Sequence, residues 1–230
     1  MQHTPVERLV LAGLEPFARG GGRDCFVHPR DPGLCVKVAR EGRSPEERRR
    51  QMPWWKRWRK PAHKYDDSLR DYRTLKALES SGDAAIWQCL PRLHGWVETD
   101  RGRGLVTDLV RDADGSVSRS LLDYLRTHGH DERVQAAVDA FARFWETCPV
   151  PARSLFLDNI AAQVRDDGTL RLVVIDGLGN TVLIPWYTWS KALGLIWARR
   201  NIRFLRRDIA ALFPGEAQAK AAGKPGAASA

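Results

Sequence analysis

The sequence lacks several features that would have placed it at once. Its four cysteines, Cys25, Cys35, Cys89 and Cys148, include no Cys-x-x-Cys pair, so a zinc site is not expected. They lie in apolar surroundings and read as reduced core thiols of a cytosolic protein. No apolar run reaches the roughly 18 residues of a membrane-spanning helix, and no signal peptide is evident. Gly20, Gly21 and Gly22 are followed by neither Lys-Ser nor Lys-Thr, which excludes a Walker phosphate loop. No internal repeat is present. Acidic residues are the scarcer charge, 28 against 37 Lys and Arg, for a formal net charge of +9 and a pI near 9.8. That surplus predicts an anionic partner, either a phosphate ligand or a membrane surface. Nucleic acid would satisfy the charge, but no nucleic-acid-reading motif is present, so specific binding to it is not expected. A chain of 230 residues is one domain, or one two-lobed domain, able to bury a sizeable core.

What is there is organised around residues 154–180, SLFLDNIAAQVRDDGTLRLVVIDGLGN. A polar loop, SLFLDN, leads into the apolar run Ile160 to Val164. The Arg165-Asp-Asp-Gly168-Thr turn reverses the chain, and the β-branched run Leu170 to Ile175 ends on Asp176-Gly177. Two short strands about a Gly-containing turn make a hairpin. Its outer ends lie together, so Asn159 and Asp176 are expected side by side. One amide oxygen and one carboxylate there make a hard-oxygen site of the kind that holds Mg2+ together with phosphates. Taken alone, an Asn and an Asp-Gly are ordinary turn residues; the rest of the chain gives them their meaning.

Residues 9–17, LVLAGLEPF, read as an opening strand. The Arg19-Gly-Gly-Gly-Arg23 turn, the strand Asp24 to His28, the turn Pro29 to Gly33 and the strand Leu34 to Val38 follow. Glycine lets backbone N–H groups approach an anion, so Gly20, Gly21 and Gly22 are candidates for covering a phosphate. Lys37 is a cation in the middle of an apolar strand; it points either to solvent or, as a phosphate-binding lysine, into a cleft. Residues 40–64 carry ten basic residues against three acidic ones, interleaved with Trp54, Trp55 and Trp58. They read as an insertion whose tryptophans either pack on the neighbouring lobe or dock on an anionic surface.

Tyr65 to Ser80 is predicted helical, with Leu69, Tyr72, Leu75 and Leu78 on one face. Asp71 lies beside that stripe, within reach of Lys37. A strand pair, His94 to Thr99 and Leu105 to Val110, leads to a hinge at Arg111 to Gly115, where an adenine could use the Asp108 carbonyl and the Val110 N–H. Helices are expected over 121–127 and 131–147. The latter's apolar face is Val134, Ala137, Val138, Phe141, Phe144 and Trp145. A further helix is expected over 186–213, with Leu193, Ile196, Trp197, Phe204 and Ile209 apolar. Residues 214–230 are expected to be a disordered tail.

The segments GRDCFVHPRDPGLCVKV (22–38), HGWVETDRGRGLVTDLVRDADG (94–115), SLFLDNI (154–160) and VVIDGLGNTVLIPWYTWSK (173–191) together resemble the PhoP regulatory network protein YrbL family. The resemblance implies an α+β, two-lobed, protein-kinase-like fold. It has a β-rich N-lobe over 1–110, a small helical C-lobe over 111–213, and the insertion 40–64 within the N-lobe. It further implies ATP and Mg2+ as ligands, with Lys37 and Asp71 on the phosphate side and Asn159 and Asp176 as metal ligands. Kinases carry a catalytic Asp five residues before the Asn. Here that position is Ser154, and Asp158 is the only nearby carboxylate, next to the inward-pointing Asn159 and so expected to point away. Asp71 stands where kinases carry a Glu, and no Ala-Pro-Glu anchor follows Asp176. The expected function is therefore ATP–Mg2+ binding, with slow phosphoryl transfer to an acceptor linked to envelope stress or the magnesium response. The alternative is a pseudokinase regulator acting through its basic surface. The expected location is the cytoplasm, with peripheral attachment to the inner membrane or an envelope glycolipid through the insertion.

Overall fold

The structure is a computed structural model that describes residues 8–59, 61–148, 150–153, 155–179 and 191–214. Ser154, Pro185 and the tail beyond residue 214 lie outside them. The first lobe is a five-stranded antiparallel sheet of β1 (Ala18–Arg19), β2 (Arg23–His28), β3 (Asp31–Ala39), β4 (Leu93–Thr99) and β5 (Gly102–Asp108), in spatial order β1-β2-β3-β5-β4. The expected strand over 9–17 shrinks to a single bridge, Leu9 to Thr99. Asp100 accounts for this, because its carboxylate accepts from Leu11 N and Ala12 N, both at 2.7 Å, and turns the chain. Leu9 and Leu11 still bury completely. They cover one face of the sheet, where Phe26, Val36, Val38 and Val106 make a small core.

The opposite face is different in kind. The register pairs Cys25 with Lys37 and Lys37 with Leu105. Since side chains alternate across a strand, Arg23, Cys25 and Lys37 share the face away from Phe26. Helix α3 (Asp67–Ser80) packs there, with Tyr72 against Trp96 at 5.4 Å between ring centres. Asp66 caps α3 by accepting from Leu69 N at 2.9 Å. Its buried positions are Ser68, Asp71 and Leu75. The predicted leucine stripe is thus shifted, and two polar residues occupy core-facing positions.

Between β3 and α3 lies the insertion. It forms α1 (Pro45–Arg50) and α2 (Trp54–Arg59), followed by a 3-10 turn over Ala62–Tyr65. Ser44 and Glu47 close a reciprocal capping box at the start of α1. Trp54, Trp55 and Trp58 are exposed, at 70%, 49% and 90%, so the reading in which they pack as core does not hold.

The second lobe contains α4 (Leu121–His128), α5 (Glu132–Thr147), the hairpin β6 (Ile160–Val164) and β7 (Leu170–Val174), and α6 (Lys191–Leu212). Its core is the larger one, built on Phe141, Trp145, Leu125, Ile160, Val174 and Leu205. Helix α5 buries the predicted stripe except Phe144, which Ala142 replaces. Helix α6 is rotated from its expected face. It buries Ala198, Ile202, Leu205 and Ile209, while Ile196 is 60% and Phe204 36% exposed. The spacing of 4, 3 and 4 keeps that stripe continuous along one side of the helix. Cys35 and Cys89 are buried thiols as expected, but Cys25 and Cys148 are partly exposed. A β-rich lobe, a hinge and a helical lobe give the expected two-lobed α+β fold.

Candidate functional site

The β6–β7 hairpin builds the site. Its register runs from Val164 opposite Leu170 to Ile160 opposite Val174, and Ile175 N donates to the Asn159 carbonyl at 2.9 Å. Asn159 and Asp176 therefore leave the hairpin at the same end, and both line one cavity. Beyond Asp176 the chain must pass tightly against α3. Gly177 and Gly179 have φ of +81° and +78°, and a Cβ on Gly179 would stand 2.9 Å from Thr74 Oγ1. Glycine is required there for both conformation and space. The passage is pinned by Leu178 N donating to Asp71 Oδ1 at 3.1 Å, Arg153 N to the Gly177 carbonyl at 3.1 Å and Gly179 N to the Pro151 carbonyl at 2.8 Å.

At the centre is a buried ionic cluster. Arg23 Nη2 pairs with Asp71 Oδ2 at 2.7 Å and also with Asp176 Oδ1, and Arg23 Nη1 reaches Ser68 Oγ at 3.3 Å. Lys37, buried at 6% exposure, donates from Nζ to the Ile175 carbonyl at 2.5 Å. The expected Lys37–Asp71 pair is thus replaced. Arg23 takes both carboxylates through Nη2, and the ammonium takes the backbone oxygen one residue before Asp176. Burial pulls the Arg23 pKa down, but Asp71 and Asp176 outweigh it and leave it above its ordinary value. Burial pushes Asp71 up, and Arg23 does not fully offset this. Burial also pushes Asp176 up, yet Arg23, Lys37 and the Gly177 N–H together hold it down to about 2. Asp176 is therefore a carboxylate at neutral pH. On the same sheet face, a hydrogen bond from Cys35 leads the effects that lower the Cys25 thiol to about 7, with Lys37 and Arg23 adding to it.

The cavity has a volume of about 290 Å3. Gly21, Gly22 and Arg23 form its roof; Asn159, Asp176 and Arg153 form its floor. Gly20 does not line it; its N–H closes the β1–β2 turn onto the Arg23 carbonyl at 2.8 Å. The amide oxygen of Asn159 and the ionised Asp176 are hard donors on one wall, and they fit a divalent cation that shares its ligands with phosphates. Among the described residues no group of three or more His, Cys, Asp or Glu could hold a metal by itself.

The other expected residues are placed as follows. Asp158 is exposed, in the 3-10 turn Leu157–Asn159, and does not line the cavity. The Asp108 side chain is held by His94 Nε2 at 2.7 Å and Arg92 N at 2.9 Å. The Val110 carbonyl accepts from Ser118 N at 3.0 Å. Sequence reasoning missed Arg23, Arg43, Arg48, Asp67 and Arg153. The signal for Arg23 was its place on the same strand face as Cys25, opposite Phe26. The signal for Arg153 was its position directly before Ser154.

Comparison with known proteins adds the following. The family described as "PhoP regulatory network protein YrbL" matches residues 9–210, so the chain belongs to that family. It is 29% identical over 205 residues to the protein named YrbL of Escherichia coli K12, covering 87% of this chain and 86% of that one, with the same values for YrbL of Shigella flexneri. Among solved structures it is similar to Rad53 residues 1–466 in complex with AMP-PNP, at 14% identity, 80% coverage and a TM-score of 0.47. It is also similar to WbdD with a kinase inhibitor, at 11% identity, 80% coverage and a TM-score of 0.43. The chain spans 44% of the length of each of these two.

Proposed function

We propose that this member of the YrbL family binds ATP with Mg2+ beneath the Gly20–Gly22 turn and transfers the terminal phosphoryl group slowly to an acceptor. One observation carries the reading. Lys37 meets the carbonyl next to Asp176, and Asp176 and Asn159 line a cavity roofed by Gly21 and Gly22. In this reading Lys37 turns to the nucleotide's phosphates and Asp71 stays in the supporting ion pair. The Asp108 carbonyl and Val110 N–H receive the adenine. Asn159 and Asp176 hold the cation, which screens charge on the phosphates during transfer. Catalysis is then chiefly positioning and charge stabilisation. Transfer is slow because Ser154 is a very poor base at neutral pH and Asp158 faces solvent; general-base help is worth about 10²–10⁴-fold. The pseudokinase reading is favoured by a different observation: Arg23 already neutralises one oxygen of the Asp176 carboxylate, which weakens its hold on a cation. The family name links the protein to the PhoP regulatory network.

Calorimetric titration with ATP, with and without Mg2+, tests the binding. Asp176→Ala is expected to abolish the response. Turnover assayed with cell lysate as acceptor separates the two readings: slow turnover that Ser154→Asp raises or leaves unchanged supports the enzyme, and none supports the regulator. Asp158→Ala is expected to change little; fast turnover lost in that variant would make Asp158 the base.

The same reading gives the insertion a role at an anionic inner-membrane surface. Trp54 and Trp58 project from a basic segment. Each basic residue near an anionic bilayer contributes about 1 kcal/mol, screened by salt. No helix among the described residues is long and apolar enough to cross a membrane, so the contact would be peripheral. Flotation with acidic but not neutral liposomes, lost on deleting 40–64, is the expected result.

A further inference from the structure

The cavity beneath the glycine turn has a second set of walls that the nucleotide reading does not use. Asp67, in the first turn of α3, is shared by three arginines: Arg48 Nη1 at 2.6 Å, Arg153 Nη2 at 3.2 Å and Arg70 Nη2. These come from three parts of the chain: the insertion, the loop before Ser154 and α3 itself. Arg43, also from the insertion, lines the same cavity and has no side-chain partner among the described residues. The Nε atoms of Arg153 and Arg70 are buried without a hydrogen-bond partner. Burial, then the repulsion of Arg153 and Arg48, pulls Arg70 down to about 10. Taking the walls and the layer directly behind them, six cations (Arg23, Lys37, Arg43, Arg48, Arg70 and Arg153) face three carboxylates (Asp67, Asp71 and Asp176). The surplus is three positive charges.

We propose that this cavity binds a phosphate monoester carried by the acceptor, whether on a soluble metabolite or on a lipid headgroup. A monoester brings a charge of about −1.5 to −2 at neutral pH and three acceptor oxygens, which the surplus can neutralise in full. Guanidinium forks match its geometry bidentately. A volume of about 290 Å3 is at the small end for ligand pockets; in the nucleotide-free protein it is enough for a phosphate with a short attached group. The insertion thereby reaches the site directly, since it supplies Arg43 and Arg48. The acceptor role rests on the nucleotide reading above; the anion site itself does not.

The test is a titration of the nucleotide-free protein with glycerol 3-phosphate, with glycerol as control. Glycerol 3-phosphate is expected to bind and glycerol not. Charge-assisted hydrogen bonds are each worth about tenfold or more in affinity. Arg153→Gln is therefore expected to weaken binding by about tenfold or more. Arg43→Gln is exposed and unpaired, so it cannot fail for want of folding, and it is expected to weaken binding by about threefold or more. ATP affinity should change less than about threefold in both. Absence of glycerol 3-phosphate binding, or binding unchanged in both variants, overturns the proposal. So does a parallel loss of ATP affinity, which would give these arginines to the nucleotide's own phosphates. If ATP fails to bind but glycerol 3-phosphate binds and responds to the variants, the anion site stands and the nucleotide reading falls. Vesicles of phosphatidylcholine with and without phosphatidic acid separate the sources. Recruitment that glycerol 3-phosphate displaces marks a lipid phosphate; binding of the soluble ester alone marks a free one.

Discussion

Asp67 and Asp71 lie one turn apart on α3 and face two quite different charge environments. Around Asp71 the charges balance: Arg23 and Lys37 stand against Asp71 and Asp176, and all but Asp176 are almost wholly buried. Around Asp67 one carboxylate serves three guanidiniums that are 14–32% exposed. The first cluster is balanced as it stands and offers a ligand only the exposed edge of Asp176. The second is incomplete and is completed by one. The opposite ranking of substitutions in the two clusters follows from this.

In the balanced cluster the worst change is loss of the cation. Arg23→Met leaves Asp71 buried without its partner, and Asp176 unpaired beside it, and is expected to cost about 3–5 kcal/mol, measured by urea unfolding. Adding Asp71→Asn should recover part of it. In the surplus cluster the worst change is loss of the anion. Asp67→Asn is expected to cost about 1–3 kcal/mol, with part recovered by added salt or phosphate, whereas Arg153→Gln should cost under about 1 kcal/mol. If Asp67→Asn proves neutral while Arg153→Gln is severe, the surplus does not exist.

The smallest effect is on the acid side. The folded-state pKa of Asp176 is depressed to about 2. Its stabilisation is therefore present above its unfolded value of about 3.9 and is lost as pH falls from there toward 2. Asp71 is raised and has the opposite sign: protonating it on the way down stabilises the folded state. Melting temperatures of the metal-free protein between pH 5 and 2 should fall less steeply in Asp176→Asn than in the parent. An unchanged slope would detach Asp176 from Arg23.

The two clusters were not equally legible in the sequence. The hairpin was, because its two apolar runs and the Gly168 turn are local signals, and they bring Asn159 and Asp176 together without any knowledge of the rest. Lys37 stood out because it interrupts an apolar strand. Arg23 did not, because in a chain with 37 basic residues one more arginine beside a glycine run looks like surface. Its burial depends on α3 presenting Asp71 from 48 positions away. The Asp67 cluster was hidden for the same reason on a larger scale, since its members lie at 48, 67, 70 and 153. The rotated face of α6 shows the limit of periodicity: several apolar stripes were available, and packing chose the continuous one.

The hairpin that carries Asn159 and Asp176 is fastened at both ends. At its turn end Val164 N donates to Asp112 Oδ1 at 2.9 Å, Gln163 Nε2 to the Arg111 carbonyl at 2.6 Å and Ala113 N to the Val164 carbonyl at 2.9 Å, all on the hinge. At its open end Lys37 holds Ile175. Five residues of strand span about 17 Å, so the hairpin works as a strut between the hinge and the first lobe's inner face. The lobes cannot swing apart about the hinge alone without breaking the Lys37 contact. A nucleotide phosphate that draws Lys37 away from the Ile175 carbonyl would therefore loosen the end of the strut that carries Asp176.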